Sequence, residues 1–264
     1  MNQLRITVFT CFHLRHDISR LFIERTQSLG LKLFAVTSTE DPESAQLCKE
    51  YGVDFVAHKN SPLGAKWNKG IEHALFQSDY VVIMGSDDLM TQSYLDAVIP
   101  KMAEGVPFGG IDSIYMVEHG NESKAAVLKY KGVKKMLGCG CFISSKALRS
   151  VATRVKVRYT GSIDKGFIKT PTLQIALAKH LDATGKCVIA STPFYELWQP
   201  EQNKGLDNTR DLQMALMGYE PLVIETPTPT IVAVKSGTNI WSYDKVMRFW
   251  AEPCSYELVK PLLK

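Results

Sequence analysis

The chain has 264 residues, 31 Lys plus Arg against 27 Asp plus Glu, and a formal net charge of +4. That length holds a full core in one large domain, and the small charge excess is a weak preference for anionic partners, not a nucleic-acid signature. No apolar run approaches membrane-spanning length. The six cysteines, at 11, 48, 139, 141, 187 and 254, form no Cys-x-x-Cys pair, which excludes a zinc knuckle. Reduced thiols and an N-terminus without a signal-peptide pattern imply a soluble, cytoplasmic protein.

Ile6 to Thr10 is a β-branched run and the expected first strand. Leu14, Ile18, Leu21, Phe22 and Leu29 recur at helical spacing, predicting a helix from about residue 15 to Leu29 that stops at Gly30. Leu31 to Val36 is the second strand. Pro42 opens a helix that runs through Tyr51, with Gly52 as its stop. Val53 to Ala57 is a short third strand. Ser61 and Pro62 begin a helix with Trp67, Ile71, Ala74 and Leu75 on one face. Tyr80 to Met84, uncharged and β-branched, reads as a strand buried on both faces. A helix from about Thr91 to Met102 follows. This alternation predicts an α/β fold with a mostly parallel sheet flanked by helices over residues 1–103.

The second half, residues 104–264, is less regular and is expected to complete the same domain. Ile114–Val117 and Ala126–Tyr130 predict two antiparallel strands joined by the polar loop His119–Lys124. Leu137 to Phe142 is glycine-rich and leads into a short helix from Ser145. Further expected elements are a helix capped by Thr170-Pro171, a strand at Cys187–Ala190, a helix from Asp207 to Met217 and a strand at Ile231–Val234. A final amphipathic turn carries Tyr243, Val246, Met247 and Trp250.

Chemistry concentrates where the buried run Tyr80–Met84 stops at Asp87-Asp88. Ligands of open α/β sheets bind at the carboxyl ends of such strands. Two adjacent acids there call for a cation to neutralise them, and a hard divalent ion with oxygen ligands would do so. The plainer reading is a turn before the next helix.

Two stretches resemble the family 2 glycosyltransferases, which have the GT-A fold. Asn60-Ser-Pro-Leu-Gly64-Ala-Lys-Trp-Asn68-Lys-Gly70-Ile71 resembles the family's Gly-x-x-x-Asn-x-Gly-Ile helix, and Asp79 to Asp88 resembles its aspartate (DxD-type) motif. The resemblance covers residues 4–103 well and 136–190 loosely. It implies a transfer of sugar from a nucleotide-sugar donor to an acceptor hydroxyl, dependent on Mn2+ or Mg2+ and inverting. By this resemblance Asp88 holds the metal, and Asp87 binds metal or the donor's ribose. Thr10, Phe12 and Ser38 would line the base pocket, with Lys66 and Asn68 on the donor side. The acceptor's proton would go to Asp164, with Asp112 in reserve.

Three positions depart from the family. Thr10-Cys-Phe-His13 replaces Pro-Thr-Tyr-Asn, Thr37 to Glu40 replaces the aspartate after the second strand, and Gly85 stands where many members carry the first acid. These leave the donor's base and sugar open. The acceptor is equally open among polysaccharide, protein, small molecule and modified nucleic acid. Two other readings stand beside the transferase. One is a nucleotidyltransferase on a similar sheet, and the other a catalytically silent sugar- or partner-binding relative. Trp198, Asn203 and Trp241, in polar loops, are candidates for stacking on or bonding to a sugar.

Overall fold

The parallel half is laid down in sequence order. β1 (Ile6–Cys11), β2 (Lys32–Ser38), β3 (Asp54–His58) and β4 (Tyr80–Ile83) pair in parallel, with β1 between β4 and β2, and β3 outermost. The computed structural model describes residues 4–75, 77–129, 135–152, 156–159, 187–190, 197–198, 200–236, 242–248 and 251–263.

The connections are α1 (His16–Ser28), α2 (Pro42–Glu50) and α3 (Leu63–Leu75), with α4 (Gln92–Ala103) farther on. Ile18, Phe22, Ile23 and Thr26 form the buried stripe of α1, the spacing of one helical face. Asp41 caps α2 through the Ser44 N–H, and Pro42 occupies the first turn. α3 lies close on β1 and β2 because residue 70 has no side chain. A Cβ there would stand 2.3 Å from the Phe9 ring and 2.4 Å from Val36.

The sheet continues on its other side through β9 (Cys141–Ser144), β6 (Phe108–Ile111) and β12 (Leu222–Ile224). β9 is antiparallel to both neighbours. The period-2 alternation of strand side chains divides the core in two. Val8, Leu33, Ala35, Tyr80, Val82 and Phe142 face the side of α1, α2 and α4. Phe9, Phe34, Val36, Val81, Ile83, Cys141 and Ile143 face α3, α5 (Ser145–Ala152) and α6 (Leu206–Leu216).

A second sheet runs β14-β8-β7-β13-β5. Its members are β5 (Asp88–Met90), β7 (Ser113–Glu118), β8 (Asn121–Lys129), β13 (Ile231–Lys235) and β14 (Ala251–Pro253). β13 is parallel to β7 and antiparallel to β5. β10 (Lys156–Tyr159) and β11 (Cys187–Ala190) form a separate antiparallel pair, and α7 spans Tyr243–Met247.

Several expectations need correction. The hairpin is tighter than read, turning at His119-Gly120, where Gly120 has φ 76°, so β8 begins at Asn121. β6 and β9 hide in glycine-rich stretches, and β5 and β14 are three residues each. Ser61 does not cap α3. The Leu63 N–H donates instead to Asn203 Oδ1 at 2.9 Å. The helix expected at Thr170-Pro171 and both Trp241 and Trp250 lie outside the described residues.

Candidate active site

After Ile83 the chain leaves the first sheet, turns through Ser86-Asp87 and enters the second as β5. The Asp88 N–H closes the turn on Gly85 O at 3.1 Å. The Gly85 N–H donates to Asp88 Oδ2, also at 3.1 Å. Gly85 is where the acidic motif loses its first aspartate, and the geometry gives the reason. A Cβ there would stand 2.6 Å from Asp88 Oδ2 and 3.2 Å from Asp87 Oδ1. Both acids are buried. Burial and the neighbouring Asp87 push the Asp88 carboxyl up to about 7, against the pull of Lys235.

Two cations answer the pair, and neither was legible as a site residue in the sequence. Lys235, the last residue of β13, places Nζ 2.7 Å from Asp87 Oδ2 and 3.9 Å from Asp88 Oδ1. Burial opposes its charge, yet Asp87 and Asp88 outweigh burial and hold the ammonium above its ordinary range. Arg15 comes from the loop before α1. Its Nη2 donates to Ser86 Oγ at 2.9 Å, and its Nη1 lies 3.5 Å from Asp87 Oδ1. Leu14 and Arg15 both have left-handed backbones, φ 55° and 54°. For residues with a Cβ this costs roughly 1–2 kcal/mol each. Asp41 helps to hold the loop, accepting from the Leu14 N–H at 2.6 Å and pairing with His16 at 2.9 Å.

The residues expected at the base pocket are brought together, but their polar groups turn inward. Thr10, Phe12 and Ser38 are buried, and so is Lys66. The Lys66 ammonium donates to Phe12 O at 2.6 Å, Ser38 Oγ at 2.7 Å and Asn60 Oδ1 at 3.1 Å. Lys66 thus joins the ends of β1 and β2 to the loop before α3. Its three donors are taken up by protein acceptors, and burial lowers its pKa. Asn68 is committed as well. Its Nδ2 donates to Trp198 O at 2.7 Å and its Oδ1 accepts from Trp198 N at 2.9 Å. Trp198 itself is buried beside Phe9 and Trp67, which makes it a core anchor and not a sugar platform.

Asp112 lies immediately before β7, six residues before Glu118, the residue opposite Lys235 in the ladder. That is roughly 20 Å of strand. Its carboxylate is buried and paired with Lys129 at 2.5 Å. Asp164 lies outside the described residues.

A third acid does approach the strand end. The glycine-rich turn at 138–140 lies over β4, with the Gly140 N–H on Ile83 O at 3.0 Å and Tyr94 Oη on Gly140 O at 2.8 Å. Asp207, in the first turn of α6, fills the space a Cβ on Gly138 would take. Its side chain keeps 57% exposure. Cys139, between these glycines, is held in thiol form by burial first and then by Asp88, with Asp207 and Asp87 adding to the effect. The fully buried Arg210 ties the arrangement down, bonding Asp211 Oδ1 at 2.8 and 2.9 Å, Asp207 Oδ1 at 3.2 Å and Gly138 O at 3.3 Å.

A divalent ion at a diphosphate needs only one or two protein carboxylates, so the test of Mn2+ or Mg2+ is what already surrounds Asp87 and Asp88. An ion beside Asp88 would stand near the Lys235 ammonium. Asp87 is already engaged by Lys235, with Arg15 close by. The pair as arranged does not fit the ion.

The family described as Glycosyl transferase family 2 matches residues 27–151. No curated protein matches the chain. Among solved structures, S. aureus TarS 1-349 is similar over 88% of this chain and 60% of its own, at 11% identity and a TM-score of 0.49. The chain therefore spans less than two thirds of that protein's length. Glucosyl-3-phosphoglycerate synthase from Mycobacterium tuberculosis, in complex with Mn2+, UDP-glucose and phosphoglyceric acid, is similar over 57% of this chain and 60% of its own, at 14% identity and TM-score 0.38. The inositol-1-phosphate CTP transferase from T. maritima is similar over 93% and 96%, at 12% identity and TM-score 0.46. No described helix is long and apolar enough to cross a membrane. Both resemblance-bearing stretches fall inside residues 27–151, which are similar to the glycosyltransferase family 2 model and lie on a mixed α/β fold with a largely parallel sheet flanked by helices.

Proposed function

We propose that this protein transfers a hexosyl or pentosyl group from a nucleotide-sugar donor to an acceptor hydroxyl, with inversion at the anomeric carbon. The observation that carries this reading is the charged seam at the carboxyl end of β4. Asp87, Asp88, Arg15 and Lys235 converge there, inside or against the family-matched segment. Both halves of the chain supply these residues, which supports treating 1–264 as one domain.

In the step proposed, the acceptor oxygen forms a bond to the anomeric carbon. The bond from that carbon to the diphosphate oxygen breaks, and its electron pair leaves with the nucleoside diphosphate. A carboxylate takes the acceptor proton. Asp207 suits this role by its exposure and its place beside the 138–140 turn, and Asp164 is the alternative from the family resemblance. The resemblance would also set Mn2+ or Mg2+ on Asp88 and Asp87. The charges of the pair are already matched by Lys235 and Arg15, which leaves no excess negative charge for such an ion to neutralise.

The test is the release of free nucleoside diphosphate from a panel of nucleotide-sugars. Release from one donor class, reduced about tenfold or more in Asp87→Ala, where Lys235 and Arg15 lose the carboxylate that orients them, supports the reading. Asp207→Asn should keep donor binding and lose transfer. If no donor is turned over and none raises thermal stability, the protein is a silent relative and the transferase reading falls.

A further inference from the structure

Four charged side chains meet where the first sheet hands the chain to the second. Lys235 is 2.7 Å from Asp87 and 3.9 Å from Asp88, and Arg15 is 3.5 Å from Asp87. They reach this point from three separate elements: the loop after β1, the β4–β5 turn and the end of β13. The acids are therefore balanced by groups belonging to the protein.

The cations also have hydrogen-bonding capacity to spare. An ammonium carries three N–H donors, and Asp87 takes one from Lys235. Arg15 Nη1 is buried and makes no hydrogen bond, although Nη2 is fixed on Ser86 Oγ. A guanidinium and an ammonium held on the two oxygens of one carboxylate are a suitable donor set for phosphate oxygens. Asp87 keeps both cations oriented while no ligand is bound. The successive left-handed residues Leu14 and Arg15 are the local strain that delivers the guanidinium to this place.

We propose that Lys235 and Arg15, and not a divalent ion, hold the diphosphate of the donor, so that this protein binds nucleoside diphosphates without metal. The proposal rests on the transferase reading of the same site and adds the means by which the leaving group is held. When the glycosidic bond breaks, its electron pair moves onto the diphosphate, and the fixed charges of Lys235 and Arg15 meet it without reorganising. Asp87 positions the two cations and makes no bond to the sugar.

The test is the affinity of ADP, CDP, GDP, UDP and dTDP, measured by calorimetry in EDTA and again in Mn2+. The wild type is compared with Lys235→Met and Arg15→Met, which keep most of the unbranched stem and remove the charge. At least one nucleotide should bind the wild type in EDTA, with affinity changed less than about threefold by Mn2+. Each variant should bind it about tenfold or more weakly in EDTA. Lys235→Met, with the ammonium gone from beside the acids, should regain affinity when Mn2+ is added. A purely structural lysine would show no such rescue. Wild-type binding that requires Mn2+ overturns the proposal and leaves the transferase reading standing. Binding of no nucleotide under either condition overturns both. If Lys235→Met does not fold, Arg15→Met decides, and undiminished affinity in EDTA in that variant also overturns the proposal.

Discussion

The ammonium of Lys235 lies 2.7 Å from the Asp87 carboxylate although 148 residues separate them in the chain. The pairing of β13 with β5 brings them together. Ala233 stands opposite Asp88 in that ladder, and the Val234 N–H donates to Asp87 O at 2.7 Å. The backbone and the side chain of Asp87 are thus both fixed from the far end of the sequence.

Gly85→Ala tests the geometry of the acid pair. The new Cβ would fall 2.6 Å from Asp88 Oδ2, so the carboxylate has to move. Turnover should fall on the order of tenfold to a hundredfold, as expected for a small misplacement of a working group. Stability should change by less than about 1 kcal/mol, because the loss is local. Steady-state kinetics and thermal unfolding on one preparation check both.

Asn68→Ala removes both hydrogen bonds to the Trp198 backbone. Buried groups left without partners make this a loss of about 2–3 kcal/mol, measurable by urea unfolding. Limited proteolysis should show faster cleavage near residues 200–203, whose attachment to the start of α3 depends on the same packing.

Asp41 gives the stability a defined dependence on acid pH. Burial works against its charge, but bonds from Ser44, the Leu14 N–H and His16 prevail and hold its carboxyl at about 2. A folded pKa below the unfolded one binds protons more weakly. The stabilisation is therefore present above about pH 4 and is lost as pH falls through about 2. Its size is on the order of 2 kcal/mol. Asp41→Asn should flatten the pH dependence of unfolding in this window and leave its slope above pH 5 unchanged.

Asp211→Ala leaves the guanidinium of Arg210 buried with its main partner gone. The expected loss is about 3–5 kcal/mol by chemical denaturation. Asp207→Asn should cost far less, since that carboxylate is more than half exposed. The two acids on one helix thereby separate a structural role from a chemical one.

The parallel half of the fold was legible because its strands are continuous apolar runs and its helices carry their own stops. Gly30, Gly52 and Pro42 all fall at the element ends they signal. Asp87-Asp88 was legible as the end of a buried strand. Their partners were not, because Lys235 is one lysine among many until β13 is paired with β5. Arg15 was equally silent, since its placement depends on two left-handed residues that are not glycine. Lys66 and Asn68 were read toward the donor from motif position, and only three-dimensional packing shows their polar atoms committed inside the protein. Asp207 was read as a helix cap, whereas Gly205 holds that position and Asp207 lies in the first turn, where its neighbour Gly138 brings it toward the site. β6 and β9 were obscured by glycines whose lack of a side chain permits the close approach of Leu222 and Phe142.

The joint between β4 and β5 has a consequence for dissecting the molecule. A fragment ending after α4 would contain the whole acidic motif and all four strands of the parallel sheet's first half. It would lack the strand that pairs with β5 and the cation that faces Asp87. Such a fragment would keep the signature and lose the chemistry, because the site belongs to the seam between the sheets and to neither sheet alone.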